Sequence, residues 1–222
     1  KSEGGQRWFH LYPNEKIDYR DQLHWTGLYQ NWNLQCAACH STNLKKGYDA
    51  ASNSYNTTFS EINVACEACH GPGSRHAGWA KQAKAPYPPD ADKGLVALQT
   101  HWNDAWKFAT QDAASAQRDP PGAAAAAAMN TCAACHARRS VITESGTPGA
   151  PIEDTHRPAL LTAPNYYADG QQREEVYVWS SFLQTRMYQR GVGCMDCHEP
   201  HALKLRAEGN ALCLRCHNAA AF

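Results

Sequence analysis

The sequence predicts a mainly helical fold with extensive irregular structure, its core built from stacked bound groups rather than from side chains. Two observations lead there. Mean hydropathy is −0.62, and aliphatic side chains other than alanine and leucine are sparse, so 222 residues this polar cannot assemble a dry core unaided. All ten cysteines fall in five Cys-x-x-Cys-His runs, which leaves none for disulfides.

The runs are Cys36-Ala-Ala-Cys39-His40, Cys66-Glu-Ala-Cys69-His70, Cys132-Ala-Ala-Cys135-His136, Cys194-Met-Asp-Cys197-His198 and Cys213-Leu-Arg-Cys216-His217. This pattern attaches c-type haem: the two thiols add to the porphyrin vinyl groups, and the histidine becomes an axial iron ligand. Zinc would take two cysteine pairs per ion and strand the fifth pair, with no need for a histidine after each. A thioredoxin-like motif occurs once, beside a βαβ pattern. The expected cofactors are therefore five covalent c-type haems. Their macrocycles supply the missing apolar surface, and folding should be coupled to their attachment.

Lysine plus arginine and aspartate plus glutamate each number 21, for a formal charge of zero. Five haems with ionised propionates shift the loaded protein to about −5 when oxidised and about −10 when reduced, which disfavours nucleic acid as a partner. Arg138 and Arg139, directly after the third motif, are candidate propionate partners, with a solvated arginine pair as the equal alternative. No apolar run reaches the ~20 residues of a membrane span. Covalent haem attachment takes place outside the cytoplasm, so the chain is expected in the periplasm or cell exterior, its signal peptide already removed.

Three blocks organise the sequence. Residues 1–80 form a two-haem module with strand-like pieces such as 6–12. Residues 81–131 form a haem-free connector, in which the proline-rich 86–89 leads to a helical run from Leu95 to Arg118 closed by Asp119-Pro120-Pro121-Gly122. The alanines from Ala123 to Ala128 predict a short helix delivering Cys132. Residues 132–222 form a three-haem module in one compact unit with the rest. A second helix is expected from Gln172 to Arg190, with Val176, Trp179, Leu183 and Met187 on one packing face and Gly191 as its cap. Only 14 residues separate the fourth and fifth motifs, so their haems must lie nearly in contact.

Each iron needs a sixth ligand or an open site. Outside the motifs stand His10, His24, His76, His101, His156 and His201. The expected distal ligands are His10, His24, His76, His156 and His201, with His10 the weakest and His101 set aside as a surface residue. His201 follows the fourth motif through a stiff proline turn and is expected to reach a neighbouring haem. Met129, Met187 and Met195 read as core or filler rather than as ligands. Trp25, Trp32 and Trp79 flank motifs and are expected to pack on porphyrin.

The strings Arg-Trp-Phe-His-Leu-Tyr-Pro (7–13), Leu-His-Trp-Thr-Gly (23–27), Gln-Asn-Trp-Asn-Leu-Gln-Cys-Ala-Ala-Cys-His (30–40) and Glu-Ala-Cys-His-Gly-Pro-Gly-Ser-Arg-His (67–76) resemble a family of exported multihaem cytochromes. That family is related to the tetrahaem electron carrier of hydroxylamine oxidation. The stretch from Asp-Thr-His-Arg-Pro (154–158) to Cys-Leu-Arg-Cys-His (213–217) looks like its paired-motif module. The resemblance implies that His76 and His201 are distal ligands to haems other than those of their own motifs. Members often carry a further motif upstream and tetratricopeptide repeats downstream. The present sequence is accordingly expected to be a processed portion of a longer protein, which leaves His10 or His24 open to serve a haem elsewhere.

Two functions compete. One is electron transfer through closely packed bis-histidine haems, to other redox proteins or through identical subunits stacked into an extracellular filament. The other is an oxidoreductase acting on a small nitrogen or sulfur compound at one five-coordinate haem. The supply of spare histidines, and a proximal histidine in every motif, favour the non-enzymatic carrier.

Overall fold

The computed structural model describes residues 10–82, 84, 86, 93–98, 106–119 and 126–219. Backbone contacts divide the chain into two compact units, Lys1–Asn63 and Val64–Phe222. The first motif lies in one unit and the other four lie in the second.

In the first unit, α1 (Trp32–Gln35) and α2 (Ala37–His40) are single turns. The Asn31 side chain caps α1 by accepting from the Leu34 amide at 3.3 Å. Strand β1 (Ser41–Thr42) leaves the motif, β2 (Tyr48–Asp49) and β3 (Ser54–Tyr55) form a hairpin, and β4 (Glu61–Ile62) returns to pair antiparallel with β1. The Tyr48 and Tyr55 rings meet across the hairpin with centroids 5.0 Å apart. Beneath the motif Ala37, Ser41 and Thr42 are buried, and the Thr42 hydroxyl donates to the Asn63 carbonyl at 2.9 Å.

The second unit opens on α3 (Cys66–His70) and α4 (Ser74–Gln82). Residues 93–98 come back over this pair, with the Val96 amide on the His70 carbonyl at 3.2 Å. A hairpin of β5 (Trp106–Lys107) and β6 (Gln117–Arg118) follows, then α5 (Ala126–His136). Strands β7 (Arg139–Val141) and β8 (His156–Pro158) pair antiparallel, and Ile152 between them packs with Ala133 and Ala137 under Trp179. Helices α6 (Trp179–Leu183), α7 (Arg186–Gln189) and α8 (Cys194–Cys197), the pair β9 (His198–Glu199) and β10 (Lys204–Leu205), and α9 (Asn210–Cys213) complete the unit.

The architecture is therefore mixed, which corrects the mainly helical expectation. Its helices are mostly single turns and its strands two or three residues long. A Cys-x-x-Cys-His motif requires only one helical turn, and nothing after it sustains the helix. The Leu95–Arg118 helix is also corrected: residues 99–105 lie outside the described residues, while 106–107 and 117–118 are strands. Ties from this hairpin to the fourth and fifth motifs override local helix propensity. The Gln172–Arg190 helix breaks into α6 and α7, because Thr185 is extended and its hydroxyl accepts from the Tyr188 amide at 3.1 Å, restarting the helix as an N-cap. Its face divides accordingly, with Val176 buried and Met187 exposed. Gly191 does follow α7 in the left-handed region, at φ 88°. Of the strand-like stretch 6–12, residues 10–12 are irregular and the remainder lies outside the described residues, as do 87–89 and His101.

Among the described residues few large side chains are buried, and alanines make up half of the buried apolar set. Among the described residues Leu203 is 91%, Trp25 79% and Leu160 76% exposed. No described helix is long and apolar enough to cross a membrane.

Candidate metal centre

A helical turn puts residues i, i+3 and i+4 on one side. The first motif closes such a turn with Cys39 and His40 amides on the Cys36 carbonyl at 3.2 and 3.0 Å, and the fifth repeats it with Cys216 and His217 on Cys213 at 3.1 and 2.9 Å. In the second motif the turn is α3, and in the third it is the end of α5. The fourth departs: α8 ends at Cys197, and His198 is already extended as the first residue of β9. Two thiols and an imidazole on one side of a turn are the donor set that covalent haem attachment needs. All ten cysteines are free thiols.

The third and fourth motifs meet through sulfur. The Cys132 thiol donates to Cys194, an arrangement that pushes the Cys132 thiol well above its ordinary range, with burial adding to the effect. The same hydrogen bond holds the Cys194 thiol below its ordinary range, against the opposing effect of burial. Cys194 Sγ also lies 3.3 Å from Sδ of Met129, which is buried in α5. Met195 is buried too, so Met129 and Met195 are packing residues. Burial raises the Cys69, Cys197 and Cys216 thiols.

The candidate distal histidines differ in what holds Nδ1. On α4, His76 Nδ1 donates to the Lys93 carbonyl at 2.8 Å, leaving a lone pair on Nε2, and its ring lies over Trp79 with centroids 5.5 Å apart. His201 is exposed, and its Nδ1 faces the Glu199 carboxylate at 3.5 Å. His156, on β8, contacts the Thr155 hydroxyl through Nδ1 at 2.7 Å. In contrast, His10 Nδ1 accepts from the Tyr12 amide at 3.0 Å, so its proton sits on Nε2. His24 Nδ1 likewise accepts from the Thr26 amide at 3.3 Å and touches the Thr26 hydroxyl at 2.8 Å. The structure also brings His70 of the second motif beside His201, ring centroids 5.9 Å apart and planes within 8°.

Arg138 and Arg139 turn back onto the backbone, Arg138 Nη1 to the Glu175 carbonyl at 3.2 Å and Arg139 Nε to the Ala134 carbonyl. The Tyr166 hydroxyl and Trp179 Nε1 are buried with no hydrogen-bond partner among the described residues. Buried donors of this kind require acceptors, and propionate oxygens would serve. With the grouped thiols and the exposed apolar side chains, these residues fit bound haem.

One group went unnoticed in the sequence reading. Asp196, between the cysteines of the fourth motif, accepts from Trp106 Nε1 at 2.8 Å and Arg118 Nη2 at 2.9 Å. Its only sequence signal was an acidic residue inside a haem-attachment loop, and its partners come from the connector assigned to a helix.

Residues 6–71 match the family model for cytochrome c554 and c-prime, and residues 188–222 match the model for the doubled CXXCH motif. No curated protein and no solved structure matches the chain. Motif geometry and both matches support a multihaem c-type cytochrome with covalently bound haem that works in electron transfer, with a paired Cys-x-x-Cys-His module over residues 188–222.

Proposed function

We propose that this protein conducts electrons through five covalently attached c-type haems with closed, bis-histidine irons, and that it is not an enzyme. The covalent sites are Cys36 and Cys39, Cys66 and Cys69, Cys132 and Cys135, Cys194 and Cys197, and Cys213 and Cys216; the proximal ligands are His40, His70, His136, His198 and His217. When bound, the haem supplies the one-electron chemistry, and the chain supplies ligands, burial and spacing. The carrying observation is the His70–His201 pair. An imidazole nitrogen binds a transition-metal ion at about 2 Å, so two imidazoles on opposite sides of one ion have ring centres about 6 Å apart. The 5.9 Å spacing and the near-parallel planes support one iron shared by the second motif and His201. The Cys132–Cys194 contact supports close approach of the haems on the third and fourth motifs.

His76 and His156 are the next distal ligands, and His24 and His10 serve only after their rings exchange the Nδ1 hydrogen bond for a proton there. Along the sequence the motifs are spaced as a two-haem module (1–80) and a three-haem module (132–222) joined by 81–131, although the second motif folds into the same unit as the last three. The protein acts in the periplasm or outside the cell, with redox proteins or identical subunits as partners, and the stacked-subunit form is a haem filament. Mass spectrometry of the secreted protein should find five haems, and its spectra should be uniformly low-spin. Electron microscopy of purified material reads filament formation directly, and dispersed particles at every concentration would remove the filament.

A second reading has one observation in its favour. The unit Val64–Phe222 holds four motifs but, among its described residues, three spare histidines: His76, His156 and His201. An iron left five-coordinate would support an oxidoreductase of a small nitrogen or sulfur compound. Cyanide or nitrite binding to a high-spin fraction would replace the conduction reading with this one.

A further inference from the structure

We propose that the Arg118–Asp196 ion pair sets the reduction potential of the haem on the fourth motif, and that the hairpin of residues 106–119 holds the pair in place. The inference rests on the reading that Cys194 and Cys197 carry a haem.

Asp196 lies between the two attachment cysteines, inside the loop that would hold the porphyrin edge. Its carboxylate receives donors from three segments: Arg118 Nη2 at 2.9 Å, Trp106 Nε1 at 2.8 Å and the Gly193 amide at 2.7 Å. Arg118 is fixed independently, with Nε on the Gly191 carbonyl at 3.0 Å and the guanidinium 5.0 Å from the Trp106 ring centroid. The side chains are only 13% and 11% exposed, so salt and water screen them little. Surface ion pairs lack this property; Lys107–Asp119, at the open end of the same hairpin, has side chains 65% and 50% exposed.

The same hairpin reaches the fifth motif. The Ala116 amide donates to the Cys216 carbonyl at 2.7 Å, the Asn218 amide to the Ala114 carbonyl at 3.0 Å, and Ser115 bridges to His217. A segment with no haem motif thus grips two motifs and carries the cation of the pair.

A ferric haem carries one more positive charge than a ferrous one. A nearby carboxylate therefore favours the oxidised form and lowers the midpoint, and a nearby guanidinium raises it. Breaking the pair from either side should move the midpoint in opposite directions, which loosened packing cannot do.

The test is spectroelectrochemical titration of the secreted holoprotein, with haem count by mass spectrometry. Arg118→Gln should move about one-fifth of the redox amplitude to lower potential and Asp196→Asn should move it higher. Arg118→Lys, which keeps the charge, should stay near the parent. Shifts of the same sign, no shift at full haem content, or Arg118→Lys behaving as Arg118→Gln would each overturn the proposal. Should Asp196→Asn fail to accumulate, the Gln–Lys comparison at Arg118 decides alone. A parent protein lacking haem on Cys194 and Cys197 would instead refute the attachment reading.

Discussion

The imidazoles of His70 and His201 face each other with centroids 5.9 Å apart and planes within 8°, although one closes the second motif and the other follows the fourth. His70 Nδ1 is buried without a partner among the described residues, and His201 projects from the turn after β9. Arg206 braces that turn, with Nε on the Met195 carbonyl at 2.6 Å and Nη2 3.5 Å from Glu199.

Removing His201 should therefore open one iron and no other. His201→Ala is expected to convert about one-fifth of the haem to a high-spin form that binds carbon monoxide when reduced. His201→Met should remain six-coordinate and raise that haem's midpoint, since a thioether ligand favours the ferrous state. Visible and electron paramagnetic resonance spectra check both, and a parent-like spectrum of His201→Ala would remove His201 from the iron.

Each cysteine pair should account for one haem. Cys132→Ser with Cys135→Ser is expected to lower the mass of the purified holoprotein by one haem. It should also lower thermal stability more than Cys213→Ser with Cys216→Ser. The third motif ends α5, whose Ala133 belongs to the buried cluster with Ala137 and Ile152, whereas Cys213 is exposed. Intact mass and a melting curve test the two halves of this expectation separately.

The thiols should also separate by pH in the haem-free chain. A free thiol titrates near ~8.5, and only its thiolate is alkylated. Cys194 is held below its ordinary range by the thiol of Cys132, so it becomes nucleophilic at lower pH. Cys132 is held above its range by the same contact, and Cys69, Cys197 and Cys216 by burial, so they need higher pH. Labelling near pH 7.5 followed by peptide mapping should find Cys194 modified ahead of these four, and Cys132→Ala should abolish the lead. Equal labelling of all five would mean that this contact does not form without haem.

The motifs were legible because attachment chemistry dictates residue type, order and spacing within five residues. Their single-turn geometry follows from the same constraint. The elements between them were not legible, because long-range ties decide their form. Trp106 and Arg118 sit in a stretch of helical composition but are strands, pinned to Asp196, which lies 90 and 78 positions away. Met187 falls at helical spacing from Leu183, yet Thr185 interrupts the helix and leaves it exposed. The readiness of each spare histidine was equally hidden. Whether Nδ1 donates, as in His76, or accepts, as in His10, depends on a backbone group that composition does not reveal.

The readiness of His76 depends on one glycine. Gly94 has φ +72°, and a Cβ there would lie 2.6 Å from the Arg75 carbonyl carbon and 2.7 Å from the His76 amide nitrogen. Neither backbone atom can yield without moving α4, so Gly94→Ala is expected to cost about 1–3 kcal/mol. The segment 93–98 must then retreat, withdrawing the Lys93 carbonyl from His76 Nδ1, now 2.8 Å away. Loss of that acceptor frees the proton to move to Nε2, the nitrogen an iron would need. Gly94→Ala should lower the melting temperature and weaken ligation at one haem, seen as a new high-spin fraction. Lys93→Ala, which keeps the carbonyl and the backbone, should do neither. If Gly94→Ala melts earlier while its spectrum stays low-spin, the glycine serves only the fold; if both change together, the turn holds an iron ligand in the tautomer that binds.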